Sequence, residues 1–262
     1  MIRLSLRQRR DLGQHFLADE NIVRVAGRLA ELDREDVVLE VGPGLGVLTR
    51  FLAEQVAFVH AVEIDRGLEP HLRPLLGASG NVNLVFDDAL ELALGELRPA
   101  PTKLVSNLPY NIATPLVAES LDGLPTVQLW CVMVQREVAD RFFASPGTKS
   151  YGAVSVLVQL TAERTGFHPV SRTVFRPPPN VDSALVAFRR RRTWGPEFAR
   201  IKQVVQAAFS HRRKTLPNSL ALAGVATREA ADAALERLGR GKGARAETLA
   251  PEEFIRLAEL LP

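Results

Sequence analysis

The residues best suited to chemistry are Asn107, Pro109 and Tyr110, in the run Ser106-Asn107-Leu108-Pro109-Tyr110-Asn111. An asparagine side chain offers a carbonyl acceptor. A proline stiffens a turn and still presents its own C=O, and a tyrosine presents a flat face for stacking. Two acceptors beside an aromatic plate suit an exocyclic amino group on a planar base, such as N6 of adenine. That amine is a poor nucleophile because its lone pair is delocalised into the ring. Acceptors that take both of its protons favour a pyramidal nitrogen, and they help the transition state more than the ground state. The alternative is an ordinary strand-to-helix turn, and the loop alone leaves the two readings level.

The flanking residues say how such a loop is held. Leu104-Val105 reads as a strand and Leu116–Leu121 as a helix, with Thr114 as N-cap and Pro115 at the first helical position. Asn107 to Tyr110 is then a loop at the carboxyl end of a strand, where open α/β sheets place their ligands. Upstream, the apolar strand Val37-Val38-Leu39-Glu40-Val41 runs into Gly42-Pro43-Gly44-Leu45-Gly46 and then a helix over Val47–Glu54. Strand, glycine loop and helix open a nucleotide site. The spacing G-x-G-x-G departs from the dinucleotide fingerprint, and Pro43 removes an N–H that a pyrophosphate would use. Both points favour S-adenosylmethionine over NAD, with a structural tight turn as the alternative.

A second strand, Phe58–Glu63, ends in an acid about 20 residues beyond the glycine loop, a position that commonly holds ribose hydroxyls. Asp65 reads as a helix cap. A third strand, Val82–Phe86, ends at Asp87-Asp88; either acid can serve the adenine amino group of a cofactor or simply cap a turn. Asp19 reads as the cap of an early helix. Val127–Gln135 is a uniformly apolar strand, followed by helices over Arg136–Phe142 and Tyr151–Leu160. Ala184–Phe188 is a last strand. Before it, the proline-rich run Val174-Phe175-Arg176-Pro177-Pro178-Pro179 is extended and stiff. It either fixes Phe175 at a pocket rim opposite Tyr110 or buries it in the core.

With 262 residues, 46% of them hydrophobic, the chain can build one large domain with a small appendage. No run is long and apolar enough to cross a bilayer. The basic amino terminus lacks the apolar core of a signal peptide. One cysteine, Cys131, excludes an internal disulfide and reads as a small core residue. These features point to a reduced, cytoplasmic protein. Net charge is only +3, but basic residues cluster at Arg7–Arg10, Arg189–Arg192 and Arg212-Arg213-Lys214. Each cluster alone reads as a solvated face; three together favour a nucleic-acid partner. Arg212, Arg213 and Lys214 are the candidate phosphate contacts. Beyond Trp194-Gly195 only helical patterns remain. The expected division is a catalytic domain over residues 1–194 and a helical RNA-binding domain over residues 195–262.

Taken with Gly13-Gln14-His15-Phe16-Leu17, Glu63-Ile64-Asp65, Asp88-Ala89, Val174–Ser183 and Ala208–Leu220, the central Asn-Leu-Pro-Tyr resembles the KsgA/RsmA family of ribosomal RNA adenine dimethyltransferases along nearly the whole chain. The resemblance implies a class I, Rossmann-like methyltransferase sheet with a small all-helical C-terminal domain. It implies S-adenosylmethionine as methyl donor, with no metal. The implied substrate is N6 of two adjacent adenosines in the 3′-terminal hairpin loop of small-subunit ribosomal RNA, met by a monomer on RNA or on an assembling 30S-type subunit. Carried over by position, the cofactor site is His15, Leu17, Gly42, Glu63, Asp88 and Asn107. The adenine site is Asn107, Pro109, Tyr110 and Phe175. His15 stands where many relatives have Asn. The rivals are an Erm-type enzyme of large-subunit RNA, which shares the loop, and a non-catalytic relative acting in ribosome assembly. More distant are a DNA adenine methyltransferase, which usually shows Asp/Asn-Pro-Pro-Tyr/Phe, and an NAD-dependent reductase.

Overall fold

The computed structural model describes residues 15–262; the Arg7–Arg10 cluster and Gly13-Gln14 lie outside the described residues. From the amino-terminal side the elements are β1 (Phe16–Leu17), α1 (Glu20–Leu29), β2 (Val37–Val41), α2 (Val47–Gln55), β3 (Phe58–Glu63), α3 (Glu69–Leu76) and β4 (Val82–Phe86). Then come β5 (Lys103–Asn107), α4 (Ala113–Gly123), β6 (Leu129–Gln135), α5 (Arg136–Phe142) and α6 (Ala153–Thr161). After them follow β7 (Ala162–Val170), β8 (Phe175–Arg176), β9 (Ser183–Arg190), α7 (Glu197–Ser210), α8 (Leu216–Leu222), α9 (Arg228–Arg237) and α10 (Pro251–Leu260).

The main sheet has seven strands in the order β4-β3-β2-β5-β6-β9-β7. The pairs β3–β4, β2–β3, β2–β5 and β5–β6 are parallel, and β6–β9 is antiparallel. The chain winds outward from β2 through β3 to β4, then returns to the other side of β2 to lay down β5 and β6. That reversal makes the carboxyl ends of β2 and β5 the topological switch point, where such sheets bind ligands. The glycine loop leaves β2 and the Asn107 loop leaves β5, so the two loops read as chemistry face one crevice. Strands apolar on both faces need cover on both. On one side α1 and α2 supply it, with Val23, Ala26, Leu48 and Leu52 packed among Val38, Val59, Val105, Cys131 and Met133. Cys131 is fully buried, and burial pushes its thiol up to about 12.

Two local readings are corrected and one holds. β7 carries Gly166 and Pro169 and is exposed along much of its length, so it lacks the apolar run that marks the inner strands; it sits at the end of the sheet, where proline is tolerated. α4 begins at Ala113 with Ile112 as its cap, ahead of the Thr114 cap expected, because the Ile112 carbonyl already accepts the first helical bond from the Leu116 N–H at 2.9 Å. Asp19 and Asp65 do cap, the first accepting from the Asn21 and Ile22 N–H groups and the second from Gly67.

The chain divides into two compact units. The first comprises the described residues up to Ala139 together with Arg164–Arg190. The second comprises Asp140–Glu163 and Arg191–Pro262. A boundary drawn from composition at residue 194 does not see that α6 leaves the sheet unit and joins the later helices. Tyr151 shows why it does: it is fully buried, its hydroxyl donates to the Leu249 carbonyl at 2.9 Å, and its ring meets Phe209 edge-on. Phe198, Ile201, Val205, Leu216, Leu220, Phe254 and Leu257 are buried in the same unit. Among the described residues no helix is long and apolar enough to cross a membrane.

Candidate active site

Asn107 is the last residue of β5, paired with Met133 of β6. The Leu108 N–H still reaches the Met133 carbonyl at 3.1 Å, and there the ladder stops. The Asn107 side-chain Nδ2 donates to the main-chain carbonyl of His15 at 3.2 Å. A carbonyl can only accept, so this bond fixes which way the carboxamide is turned. Its Oδ1 is left as an acceptor with no donor among the described residues. Pro109 was expected to offer the second acceptor. Its carbonyl instead closes the turn with the Ile112 N–H, whereas the Leu108 carbonyl accepts nothing from the described residues.

Tyr110 follows, half-buried, with its hydroxyl 2.6 Å from Ser183 Oγ. Burial raises the Tyr110 phenol above its ordinary range, partly offset by that hydrogen bond. The ring beside it is His15, with centroids 5.5 Å apart and planes tilted 34°. His15 Nδ1 is itself 3.0 Å from the Pro177 carbonyl. His15 therefore holds Asn107 through its backbone and lies against Tyr110 through its ring.

The glycine loop meets this loop directly. Gly42 has φ +77°, and a Cβ there would stand 3.1 Å from the ring carbons of Pro109. Gly44 has φ +59°, and a Cβ would press on the Phe16 ring at 3.0 Å. Glycine is required at both positions on conformation and on space. Glu63 holds the loop from below: Oε2 accepts from the Gly44 N–H at 3.1 Å and Oε1 from the Asp65 N–H at 2.9 Å. Burial raises its carboxyl pKa against those two donors.

These residues line an open cleft that includes His15, Leu17, Glu40, Gly42, Glu63, Asn107, Pro109 and Tyr110. A neighbouring hollow shares Gly42, Glu63 and Pro109 and reaches Asp87 and Asp88. Asp88 also caps its own turn, accepting from the Leu90 N–H at 2.9 Å.

Two sequence-based assignments are not matched. Phe175 is fully buried, in the core cluster with Leu17 and Met133, and β8 pairs with β1. The stiff proline segment delivers the ring to the core rather than to a rim opposite Tyr110. In the helical unit, the Arg212 guanidinium donates to the Lys149 and Tyr151 carbonyls at 3.0 and 3.1 Å. It ties down a loop, whereas Arg213 and Lys214 are exposed with no side-chain partner among the described residues.

Sequence reasoning gave no role to Glu40 or Ser183. Glu40 is fully buried in β2 and lines the cleft, yet neither its Oε2 nor the adjacent Thr49 hydroxyl has a hydrogen-bond partner among the described residues. Burial, opposed by the Thr49 hydroxyl close by and reinforced by Glu63, pushes its carboxyl up to about 8. The signal was present: one acid inside an otherwise apolar strand.

A sheet reversing at β2/β5, a glycine loop at one carboxyl end and an asparagine loop at the other define a Rossmann-like methyltransferase. A dimethyladenosine transferase from Plasmodium falciparum shares this fold with a TM-score of 0.75 over 93% of this chain and 96% of its own, at 24% identity. The 23S ribosomal RNA methyltransferase ErmE aligns with a TM-score of 0.64 at 32% identity, over 94% of this chain and 99% of its own. The chain belongs to the ribosomal RNA adenine dimethylase family, whose model matches residues 5–262. Ribosomal RNA small subunit methyltransferase A of Rubrobacter xylanophilus is 49% identical over 251 residues, 96% of this chain and 94% of that protein.

Proposed function

We propose that the protein transfers methyl groups from S-adenosylmethionine to N6 of two adjacent adenosines in the 3′-terminal hairpin loop of small-subunit ribosomal RNA. The observation that carries this reading is the Asn107 carboxamide, with its N–H fixed by the His15 carbonyl and its Oδ1 open at the cleft.

The cleft suits the cofactor. Glu40, a buried carboxyl with an unpartnered oxygen, is what a cationic ligand would satisfy. Glu63 retains lone pairs for ribose hydroxyls, and Asp88 lies in the adjoining cavity for an adenine amine. His15, Leu17, Gly42 and the Asn107 strand end complete the holding set. When bound, S-adenosylmethionine supplies the electrophilic methyl on a sulfonium leaving group.

The chain's own task is placement and hydrogen bonding. Asn107 Oδ1 accepts a hydrogen bond from one N–H of the target amine, and the Leu108 carbonyl from the other. The Leu108 carbonyl, with both lone pairs open, is better placed for this than the Pro109 carbonyl, which the turn already uses. Tyr110 supports the base face. Stacking of this kind is worth roughly 1–3 kcal/mol per base, and unpaired loop bases are cheap to extrude. Arg213 and Lys214 contact phosphates from the helical unit.

The test is incubation with methyl-labelled cofactor and undermethylated small subunits, followed by mapping of the modified bases. Label at two adjacent adenines near the 3′ end supports the reading; label confined to large-subunit RNA would replace it with the Erm-type alternative. The higher identity to small-subunit methyltransferase A than to ErmE favours the former.

A further inference from the structure

Tyr110 is gripped at its far end by a residue that sequence reasoning left without a role. Its hydroxyl lies 2.6 Å from Ser183 Oγ. Ser183 has no exposed surface, and Tyr110 is the partner of its hydroxyl among the described residues.

Topology explains how it gets there. β5 and β6 are parallel; β5 ends at Asn107, opposite Met133, and β6 runs two residues further to Gln135. β9 runs the other way, so it begins where they end, and its first residue, Ser183, sits opposite Gln135. The preceding carbonyl, of Asp182, accepts from the Arg136 N–H at 3.0 Å, so the ladder holds Ser183 from both sides. A rigid strand thus brings one hydroxyl to the switch point.

A tyrosine side chain has two soft dihedrals. Tyr110 is fixed at its root by the turn that Ile112 and Pro109 close, and at its tip by Ser183. With both ends held, the long axis of the ring is set, and His15, packed beside it with centroids 5.5 Å apart, limits its turning about that axis. A stacking platform loses least on capture of a base when it is already oriented.

We propose that Ser183 is a positioning residue for capture of the target base: its hydroxyl clamps the Tyr110 phenol and holds the ring's axis in place beside His15 before the adenine arrives. The proposal rests on the reading of Tyr110 as the stacking platform.

Two readouts test it. The first is methyl transfer and RNA KM in Ser183→Ala, Tyr110→Phe and the double variant. Loss of one net hydrogen bond predicts a fall of about three- to ten-fold in kcat/KM for RNA, with cofactor affinity unchanged. Tyr110→Phe removes the same bond without disturbing β9, so it covers the case in which Ser183→Ala does not fold. The double variant should be no worse than either single one.

The second readout is spectroscopic. The chain has two tyrosines. Burial and the nearby Glu252 and Glu253 push Tyr151 far up, so the first tyrosinate transition on raising pH belongs to Tyr110. The Ser183 hydrogen bond lowers the Tyr110 pKa, so Ser183→Ala should move that transition upward. A merely structural loosening would admit water and move it downward. A downward shift, or no shift with kcat/KM unchanged, overturns the clamp. If Tyr110→Ala transfers methyl groups as fast as the natural protein, the stacking reading itself fails, and the clamp has nothing to serve.

Discussion

The Asn107–Tyr110 loop and the His211–Lys214 turn are both polar segments beside a helix, yet they are built in opposite ways. In the first, the polar side chains have named partners: Asn107 to the His15 carbonyl, Tyr110 to Ser183. In the second, Arg212 is spent on two main-chain carbonyls, while Arg213 and Lys214 stand exposed. Bond making at one atom requires placement within a few tenths of an ångström. Attraction to a phosphate backbone acts over a Debye length and tolerates a mobile side chain. On the proposed reading, the degree to which a polar group is tied down separates the chemistry from the docking.

The comparison breaks if the tied-down groups are dispensable. Asn107→Ala should cut single-turnover methyl transfer by about 10²–10³-fold, the usual cost of losing one hydrogen-bonding group made for the transition state. Its stability should fall by no more than the loss of the one hydrogen bond to the His15 carbonyl, about 1 kcal/mol. A loss of only a few fold would place the chemistry elsewhere.

Glu40 sharpens the comparison inside the cleft. Its carboxyl lies at about 8 in the fold, against 4.5 for the free side chain, so it is mostly protonated at neutral pH. A cation drawn to it binds better as the proton leaves. Cofactor affinity should therefore rise between pH 6 and 8, by at most about tenfold per pH unit, and level off above. Glu40→Gln should flatten that rise in a calorimetric titration. The stability linkage runs the other way. A group whose pKa is raised on folding adds stability that is complete below its unfolded value and lost as pH climbs through about 8. The decline in unfolding temperature from pH 5 to 8 should accordingly be shallower in Glu40→Gln.

Phe175 separates packing from stacking. As a core residue, Phe175→Leu should lower stability by about 1 kcal/mol in denaturant unfolding and leave turnover within about threefold. Lost turnover at unchanged stability would return the ring to the pocket. The smallest effect belongs to the open turn. Arg213→Ala should weaken RNA binding modestly and reduce the salt slope by about one unit. Arg212→Ala should instead be read chiefly as lost stability, because it frees the Lys149 and Tyr151 carbonyls.

Much of this was legible in the chain. The Gly42–Gly46 loop, the acid at Glu63 and the loop after Leu104-Val105 are local signals, each a strand end followed by a helix start. The inner strands announced themselves by apolar runs. β7 did not, because an end strand needs no such run and its Gly166 and Pro169 read as breaks. Phe175 was ambiguous because stiffness in a proline segment says that a side chain is fixed, not where it points. The roles of His15 and Ser183 were hidden for a different reason. A main-chain carbonyl has no signature in sequence, and a hydroxyl 73 residues from its partner is brought close only by the antiparallel turn of β9. The fate of Arg212 was hidden in the same way, in a loop 61 residues away.

The central claim is that the Asn107 carboxamide is held by His15 so that its oxygen meets the target amine. The direct measurement is a crystal structure with a non-reactive cofactor analogue and an adenine-bearing hairpin. The account predicts N6 about 3 Å from Asn107 Oδ1, with Asn107 Nδ2 still on the His15 carbonyl and the base lying on Tyr110. A base bound with its amine turned away from Asn107, or a carboxamide rotated off His15 to donate to the ligand, would contradict it.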